Sequence, residues 1–225
     1  MPTSRTAAPW GVVVPVKRLA VAKSRLAPYG DDLRRRLALA FAADVVAACL
    51  ACPLVARVLV VTDDAEAADA LVLLGAQVAS DAPDGGLNPA LVHGSDLVRL
   101  ALGDSGVVAV SSDLPTLRPA DLAAVLATVP DHGRVFVPDA DAQGTTRLAA
   151  GACAALLPAY GPGSRQRHLD SGAVELVAPA SLRRDVDTPA DLGEAVRLGV
   201  GPHTAQVVGA VARSAIHLDG APWGA

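Results

Sequence analysis

The sequence predicts an α/β fold with a mainly parallel sheet. Short valine-rich runs alternate with segments whose apolar residues recur at helical spacing, and this alternation is typical of a parallel sheet covered by helices. The 225 residues are 52% hydrophobic but only 3% aromatic, so a sizeable core must be built mainly from Ala, Val and Leu. The length favours one domain, which we place at residues 1–200, with a C-terminal tail at 201–225.

Four strands and three helices are expected in the first half of the chain. The strands are Trp10–Val16, Arg57–Val61, Gln77–Ala79 and Gly106–Val110. The helices begin at Asp31 or Asp32, near Ala65 and near Pro89. Apolar residues at helical spacing support the first helix, and the third should end near Leu102.

The second half continues the alternation. A helix opens at Pro119, where proline suits the first turn, and a short helix follows a glycine-rich turn at Gly161–Ser164. Strands are expected at Arg134–Val137, Leu148–Gly151 and Val174–Val177, and the last clear helix runs from Pro189 to about Leu198. After Gly199 the pattern weakens, and we expect the tail to pack on the domain or on a partner subunit.

Composition excludes several classes of function. A net charge of −4 argues against a general nucleic-acid binder. Three cysteines do not suggest a disulfide framework, and Cys49 and Cys52 fit small buried side chains of an apolar helix better than a metal site. No apolar run is long enough to span a membrane, and the first residues lack the apolar stretch of a signal peptide. We therefore expect a cytoplasmic protein without a membrane or nucleic-acid partner.

A basic segment, Pro15–Pro28, follows the first strand. It carries Lys17, Arg18, Lys23 and Arg25 at the edge where ligands bind in open α/β sheets. Cations beside backbone amides can hold a triphosphate. A solvated basic loop is the alternative. The three arginines at positions 34–36 are expected on a mostly solvated helix face.

Three aspartates are candidate metal ligands. Asp113 ends the most apolar strand, and Asp185 and Asp187 point to one side if their segment is extended. Carboxylate oxygens suit Mg²⁺, which would also relieve repulsion between the acids. The competing interpretation is that these residues only cap turns and helices.

Two loops of small residues suggest a second phosphate site. They are Gln143–Thr146 and Gly161–Ser164, and the latter precedes the short helix, whose N-terminal amides can bind an anion. His168 on that helix receives only a supporting role, because a lone histidine is more often structural.

The clusters resemble a known family. PVKRLAVAKSRLAP, GLN, SSDLP, GTT, GPGS and DVDTPADL occur in the order found in the phospholactate and phosphoenolpyruvate guanylyltransferases of coenzyme F420 biosynthesis. The resemblance covers roughly Gly11 to Leu198. It implies a three-layer nucleotidyltransferase fold similar to GT-A glycosyltransferases, and a homodimer or larger assembly.

The resemblance also implies roles for individual residues. Lys23 and Asp113 are the expected catalytic residues. The resemblance implies Mg²⁺ ligands at Asp113, Asp185 and Asp187, acceptor contacts at Thr145, Gly161 and Ser164, a GTP phosphate contact at Lys23 and a guanine-side segment at Gly86–Asn88. Lys17 and Arg25 of the basic segment complete the residues expected to bind the nucleotide.

The expected reaction transfers GMP from GTP onto a phosphorylated three-carbon acid. The arginine- and alanine-rich composition is typical of high-GC bacteria, in which the family is expected to use phosphoenolpyruvate; 2-phospho-L-lactate is the alternative acceptor. Three further alternatives stay open: a nucleotidyltransferase with another acceptor, a GT-A glycosyltransferase and a non-catalytic nucleotide-binding protein. The basic segment lacks the glycine-rich loop usual in nucleotidyltransferases for those other acceptors. A glycosyltransferase would carry a D-x-D motif where this chain has Asp113-Leu114-Pro115. The intact Lys23, Asp113, Asp185 and Asp187 argue against a non-catalytic protein.

Overall fold

A seven-stranded sheet forms the centre of the molecule. The computed structural model describes residues 9–219. The strands are β1 (Trp10–Pro15), β2 (Val55–Val61), β3 (Gln77–Ala79), β4 (Gly106–Val110), β5 (Arg134–Pro138), β6 (Thr145–Ala150) and β7 (Val174–Glu175). Their order is β3-β2-β1-β4-β6-β5-β7, and β6 alone runs antiparallel to its neighbours. The predicted mainly parallel sheet is confirmed.

Seven α-helices accompany the sheet in the described part of the chain. They are α1 (Asp31–Leu50), α2 (Ala65–Leu73), α3 (Leu87–Leu102), α4 (Pro119–Leu126), α5 (Ser164–Asp170), α6 (Pro189–Leu198) and α7 (Pro202–Asp219). Two short 3₁₀ helices lie at Ser24–Tyr29 and Ala180–Leu182. None of these helices combines the length and apolarity that a membrane crossing requires.

Alternate residues of each strand enter two different cores. On β1, Val12 and Val14 pack with α1, α2 and α4, whereas Val13 packs with α3 on the opposite face. Helices therefore cover both faces, which gives three layers. At Gly94 of α3 a Cβ atom would lie 2.6 Å from Val13 Cγ1, so glycine allows this helix to lie close to the sheet.

The structure corrects parts of the predicted element pattern. Thr145 and Thr146, expected in a loop, begin β6, because backbone pairing with β4 and β5 extends this strand to the β-branched threonines. The strand expected at Val174–Val177 stops at Glu175. After the predicted last clear helix, the chain forms α7.

A distant carboxylate holds the start of α7. Asp44 of α1 is buried and accepts hydrogen bonds from the backbone N–H groups of His203 and Thr204, both at 2.9 Å. These bonds satisfy two of the donors that a helix N-terminus leaves free. The cap of α7 is therefore a residue of α1 and not one of the residues that directly precede the helix.

Candidate active site

The candidate site is a cavity of about 500 Å³ at one edge of the sheet. The carboxyl ends of β1, β4 and β5 meet there, and the antiparallel β6 contributes its first residue. Nine of the residues expected in the site line this cavity: Lys17, Lys23, Arg25, Asp113, Thr145, Gly161, Ser164, Asp185 and Asp187. The topology thus brings together five separate segments of the sequence.

The remaining two residues are not among those that line the cavity. Gly86 precedes α3, and Leu87 beside it contributes to the wall instead. Asn88 uses both ends of its amide on the backbone of Tyr160: Asn88 Oδ1 accepts from the Tyr160 N–H at 2.7 Å, and Asn88 Nδ2 donates to the Tyr160 carbonyl at 3.1 Å. Asn88 therefore ties α3 to the loop before α5, and its guanine contact remains a prediction.

A buried arginine shapes the basic segment. Arg34 of α1 donates to the carbonyls of Leu19, Ala20 and Ala22, and the Ala20 bond measures 2.8 Å. The expectation of a solvated face is therefore wrong for Arg34, whose side chain is only 7% exposed, although Arg35 and Arg36 are about half exposed. The segment curls around the guanidinium because three carbonyls need donors and its planar fork supplies them.

Lys23 lies at the centre of the acidic part of the cavity. Its Nζ is 2.5 Å from Asp113 Oδ2 and 2.6 Å from Asp187 Oδ1, and only 12% of its side chain is exposed. Burial acts to lower the pKa of Lys23, but the two carboxylates outweigh it and leave the pKa raised. Lys23 is therefore charged and pairs with two of the three acids, although its single positive charge balances only one of them.

Asp185 lacks such a partner. Burial, followed by the nearby charges of Asp113 and Asp187, raises the pKa of its carboxyl to about 7. Val186 between the two acids is fully buried, and its N–H donates to the Asp113 carbonyl at 3.0 Å. The alternation of side chains along this segment directs both Asp185 and Asp187 into the cavity.

Whether these acids suit a divalent cation depends on their arrangement and on their charge. Among the residues that the structure describes, no three acidic, histidine or cysteine side chains are already gathered around one point as metal ligands. However, Asp113 Oδ1 is buried without a hydrogen-bond partner, and ionised Asp185 would repel Asp113 and Asp187. An unsatisfied oxygen and uncompensated negative charge fit a hard cation with oxygen ligands.

Small and polar residues form the opposite wall. Thr145 Oγ1 lies 2.9 Å from Nδ1 of His168, which is fully buried, and His168 Nε2 accepts from the Ala159 N–H at 3.0 Å. Thr146 instead donates to the Leu182 carbonyl at 2.7 Å, away from the cavity. Of the two adjacent threonines, Thr145 is the one that lines the cavity.

Asp139 is a cavity residue that sequence reasoning missed. It follows β5, and its carboxylate accepts from the N–H groups of Gln143 and Gly144 at 2.9 and 2.7 Å. A Cβ atom at Gly144 would lie 2.3 Å from Asp139 Oδ2, so glycine allows the carboxylate to lie this close to the backbone of the turn. The available signal was an acid directly after a predicted strand, the same signal that drew attention to Asp113.

Comparisons with known proteins identify relatives over most of the chain. The family model described as guanylyl transferase CofC like matches residues 10–214. Phosphoenolpyruvate guanylyltransferase of Streptomyces coelicolor is 57% identical over 201 residues, which cover 88% of this chain and 95% of the relative. Its namesake from Thermomonospora curvata is 54% identical over 198 residues, covering 87% of each chain.

Solved structures support the fold. A putative nucleotide-diphospho-sugar transferase from Desulfovibrio desulfuricans G20 superposes with a TM-score of 0.72 at 17% identity, covering 90% of this chain and 95% of that one. Rv0371c from Mycobacterium tuberculosis, solved as a manganese complex, superposes with a TM-score of 0.52 at 20% identity. The superposition covers 85% of this chain and 99% of that one. The predicted resemblance to nucleotide-diphospho-sugar transferase-like nucleotidyltransferases is confirmed.

Proposed function

Because the chain belongs to the family of CofC-like guanylyl transferases, we propose that it transfers GMP from GTP onto phosphoenolpyruvate. The products are enolpyruvyl-diphospho-5′-guanosine and pyrophosphate, and the reaction is a step in coenzyme F420 biosynthesis. The relatives named for this reaction share more than half of their aligned residues with this chain. The expected family and its guanylyltransferase activity are thereby confirmed, and the acceptor is the proposed element.

One observation in the structure carries the proposal. A single cavity combines a cationic segment, three aspartates and a wall of small polar residues. GTP and phosphoenolpyruvate are both polyanions, so their reacting groups approach each other only if charge between them is neutralised. The arrangement supports a triphosphate on the side of Lys17 and Arg25 and the acceptor on the side of Thr145, Gly161 and Ser164.

The chemistry is an in-line displacement. A phosphate oxygen of the acceptor attacks the α-phosphorus of GTP, and the bond to the β-phosphate oxygen breaks to release pyrophosphate. A phosphate monoester has its second pKa at about 6, so the attacking oxygen is already largely ionised near neutral pH. The site therefore needs no general base, and no step requires His168 to transfer a proton.

The aspartates and Lys23 have complementary roles. Asp113, Asp185 and Asp187 would hold Mg²⁺, which supplies positive charge between the two substrates when bound. Lys23, now paired with Asp113 and Asp187, would contact the GTP phosphates and stabilise the negative charge that develops on the departing pyrophosphate. Mg²⁺ as the metal, a cytoplasmic location and a homodimer remain predictions from the sequence.

An assay of pyrophosphate release tests the proposal. Purified protein is incubated with Mg²⁺, GTP and either phosphoenolpyruvate or 2-phospho-L-lactate, and the organic product is identified by mass spectrometry. We expect the highest kcat/KM with phosphoenolpyruvate and little turnover when ATP replaces GTP. Preference for 2-phospholactate would show that the proposed acceptor is wrong and that 2-phospholactate is the acceptor. No GMP transfer to either acid would refute the proposed activity.

A further inference from the structure

His168 connects the two parts of the acceptor wall. It is fully buried at the centre of α5, between β6 and the loop that precedes α5. One ring nitrogen contacts Thr145 at 2.9 Å, and the other accepts the Ala159 N–H at 3.0 Å. A single imidazole thus spans from the first residue of β6 to the loop that carries Gly161.

The contact with Ala159 fixes the tautomer. A backbone N–H can only donate, so His168 Nε2 must be the unprotonated nitrogen. In a neutral imidazole the proton is then on Nδ1, which donates to Thr145 Oγ1. A doubly protonated ring would direct Nε2–H against the Ala159 N–H. Burial, with Arg167 and Arg134 nearby, lowers the pKa of His168 to about 4, which agrees with a neutral ring.

This tautomer determines what Thr145 can do. Because Thr145 Oγ1 accepts a hydrogen bond from His168, its own proton is free to be donated elsewhere. Thr145 lines the cavity, so we infer that an anionic ligand bound there is the partner that receives this proton. A free hydroxyl proton at this point suits an anionic oxygen of a ligand.

Other contacts hold the same loop but do not reach Thr145. Asn88 forms hydrogen bonds with both the N–H and the carbonyl of Tyr160, and Arg167 donates to the Ala159 carbonyl at 3.0 Å. The ring of His168 also packs edge-on against Tyr160, with the centroids 5.4 Å apart. Of these residues, His168 is the one that joins the loop to Thr145.

We propose that His168 is a positioning residue of the acceptor subsite, which orients the Thr145 hydroxyl as a donor to an anionic group of the acceptor and fixes the loop carrying Gly161. It does not exchange a proton with substrate. The inference rests on the proposed function, since it assigns the anion to the phosphorylated acid rather than to GTP.

Kinetics of three variants test this role. His168→Phe keeps an aromatic ring but has no ring nitrogen, so one hydrogen bond to a charged ligand is weakened, and we expect KM for phosphoenolpyruvate to rise about tenfold or more. KM for GTP should change less than about twofold. His168→Asn retains a donor near the Nδ1 position and should recover part of the loss, whereas His168→Gln, whose amide lies nearer the Nε2 position, should recover less.

Ser171→Ala provides the matched control. Its hydroxyl donates to the His168 carbonyl at 2.8 Å, so the variant perturbs the same helix without altering the imidazole. We expect both KM values of Ser171→Ala to stay close to the wild-type values. Equal increases in the two KM values for His168→Phe, or no increase in either, would overturn the positioning role.

A double-mutant cycle separates positioning from packing. Thr145→Val removes the hydroxyl that His168 orients, so His168→Phe should raise KM for phosphoenolpyruvate much less in the Thr145→Val background than in the wild type. Fully additive effects would show that His168 does not act through Thr145. If His168→Phe does not fold, His168→Gln, whose amide lies nearer the Nε2 position, completes the same cycle.

A spectroscopic measurement separates this proposal from the proposed activity. Long-range ¹⁵N–¹H spectra of the wild-type protein near pH 7.5 should show His168 as the Nδ1–H tautomer, whether or not phosphoenolpyruvate is a substrate. The Nε2–H tautomer or a charged ring would overturn the inference. If the tautomer is as expected but the wild type transfers no GMP, the proposed function fails and the orientation of Thr145 stands.

Discussion

Lys23 occupies a position where its ammonium and a metal ion would bind the same carboxylates. Its ammonium lies between Asp113 and Asp187, which are also two of the three predicted metal ligands. A divalent cation and this ammonium therefore compete for the same oxygens. A metal that takes over these oxygens would release Lys23 toward the GTP phosphates, so metal binding and phosphate binding by Lys23 should favour each other.

We predict that Lys23→Met separates metal affinity from turnover. Without the competing ammonium, Mn²⁺ should bind more tightly in the absence of GTP, by about threefold or more, because two carboxylates lose their internal cation. GMP transfer should fall by roughly a hundredfold, since the departing pyrophosphate loses a charged partner. Titration followed by electron paramagnetic resonance measures the first effect, and pyrophosphate release measures the second.

Arg35→Met is the control for this experiment. It removes a cation of similar size from an exposed ion pair with Glu66, so metal affinity and turnover should both remain near wild type. Weaker Mn²⁺ binding by Lys23→Met would contradict the competition between the ammonium and the metal.

We also predict a pH dependence of stability at His168. Its pKa is lowered from 6.5 to about 4 in the folded chain, by burial and then by Arg167 and Arg134, while Tyr160 packs against the ring. The unfolded chain binds the additional proton as the pH falls below about 6.5, so this contribution to stability is present at neutral pH and is lost toward pH 4.

The measurement compares melting curves of the wild type and His168→Phe. Between pH 7.5 and 5 the Tm of the wild type should fall by at least about 2 °C more than that of the variant. Parallel decreases in the two proteins would contradict the lowered pKa.

Residue types singled out side chains that share one cavity, but they did not predict which contacts each side chain makes. Asp113, Asp185 and Lys23 stood out because polar groups ended apolar runs. The predicted solvated face was wrong for Arg34, because an arginine in a basic run gives no sign of the distant carbonyls to which it donates. The prediction for Asn88 was incomplete, because an asparagine beside glycine gives no sign of the distant backbone groups that it binds. These partners exist only once the chain is folded.

At the level of elements, the first helix and the basic segment form one unit. Arg34 of α1 supplies hydrogen bonds to three carbonyls of the segment that also carries Lys17 and Lys23. Without this guanidinium, the carbonyls of Leu19, Ala20 and Ala22 would lose their hydrogen-bond donor. The segment should therefore lose its shape before the sheet does.

We predict that Arg34→Met loosens the basic segment. The free energy of unfolding should fall by about 2–4 kcal/mol, because buried carbonyls lose their donors. Amides of residues 18–22 should exchange faster with deuterium, and KM for GTP should increase more than KM for the acceptor. Arg34→Lys should restore little, since an ammonium cannot serve three carbonyls with a planar fork. Unchanged exchange in residues 18–22 would show that Arg34 does not hold the segment.

The last helix depends on a different single residue. Asp44→Ala removes the two hydrogen bonds to the start of α7, and a loss of about 1–2 kcal/mol is expected. Hydrogen exchange should increase in the first turn of α7, while GMP transfer stays within about twofold of wild type. Full protection of residues 203–206 in the variant would contradict the capping role.

Sequence patterns located most elements but not their pairing. Valine runs such as Val12–Val14 predicted strands because burial on both faces requires continuous apolar residues. The antiparallel direction of β6 could not be predicted, since a short strand of mixed residues fits either direction. The cap of α7 could not be predicted either, since it is Asp44, about 160 residues earlier in the chain, although Pro202 at the first position of α7 was an available signal.

At the scale of the whole molecule, the topology creates the site. Parallel strands bring their carboxyl ends to one edge, and antiparallel β6 places Thr145 at that same edge. Cations and aspartates therefore face a polar wall across one cavity, as transfer between two anionic substrates requires. Sequence order alone indicated these clusters, whereas their common cavity follows from the fold.

The most direct measurement concerns Asp113. The purified Asp113→Ala protein is assayed for pyrophosphate release with Mg²⁺, GTP and phosphoenolpyruvate, and its fold is checked by circular dichroism and Tm. Loss of one carboxylate ligand should reduce turnover by roughly a thousandfold while the protein remains folded, because charge between the substrates is no longer neutralised. GMP transfer at a near wild-type rate by the folded variant would contradict a metal-assisted transfer at these three aspartates.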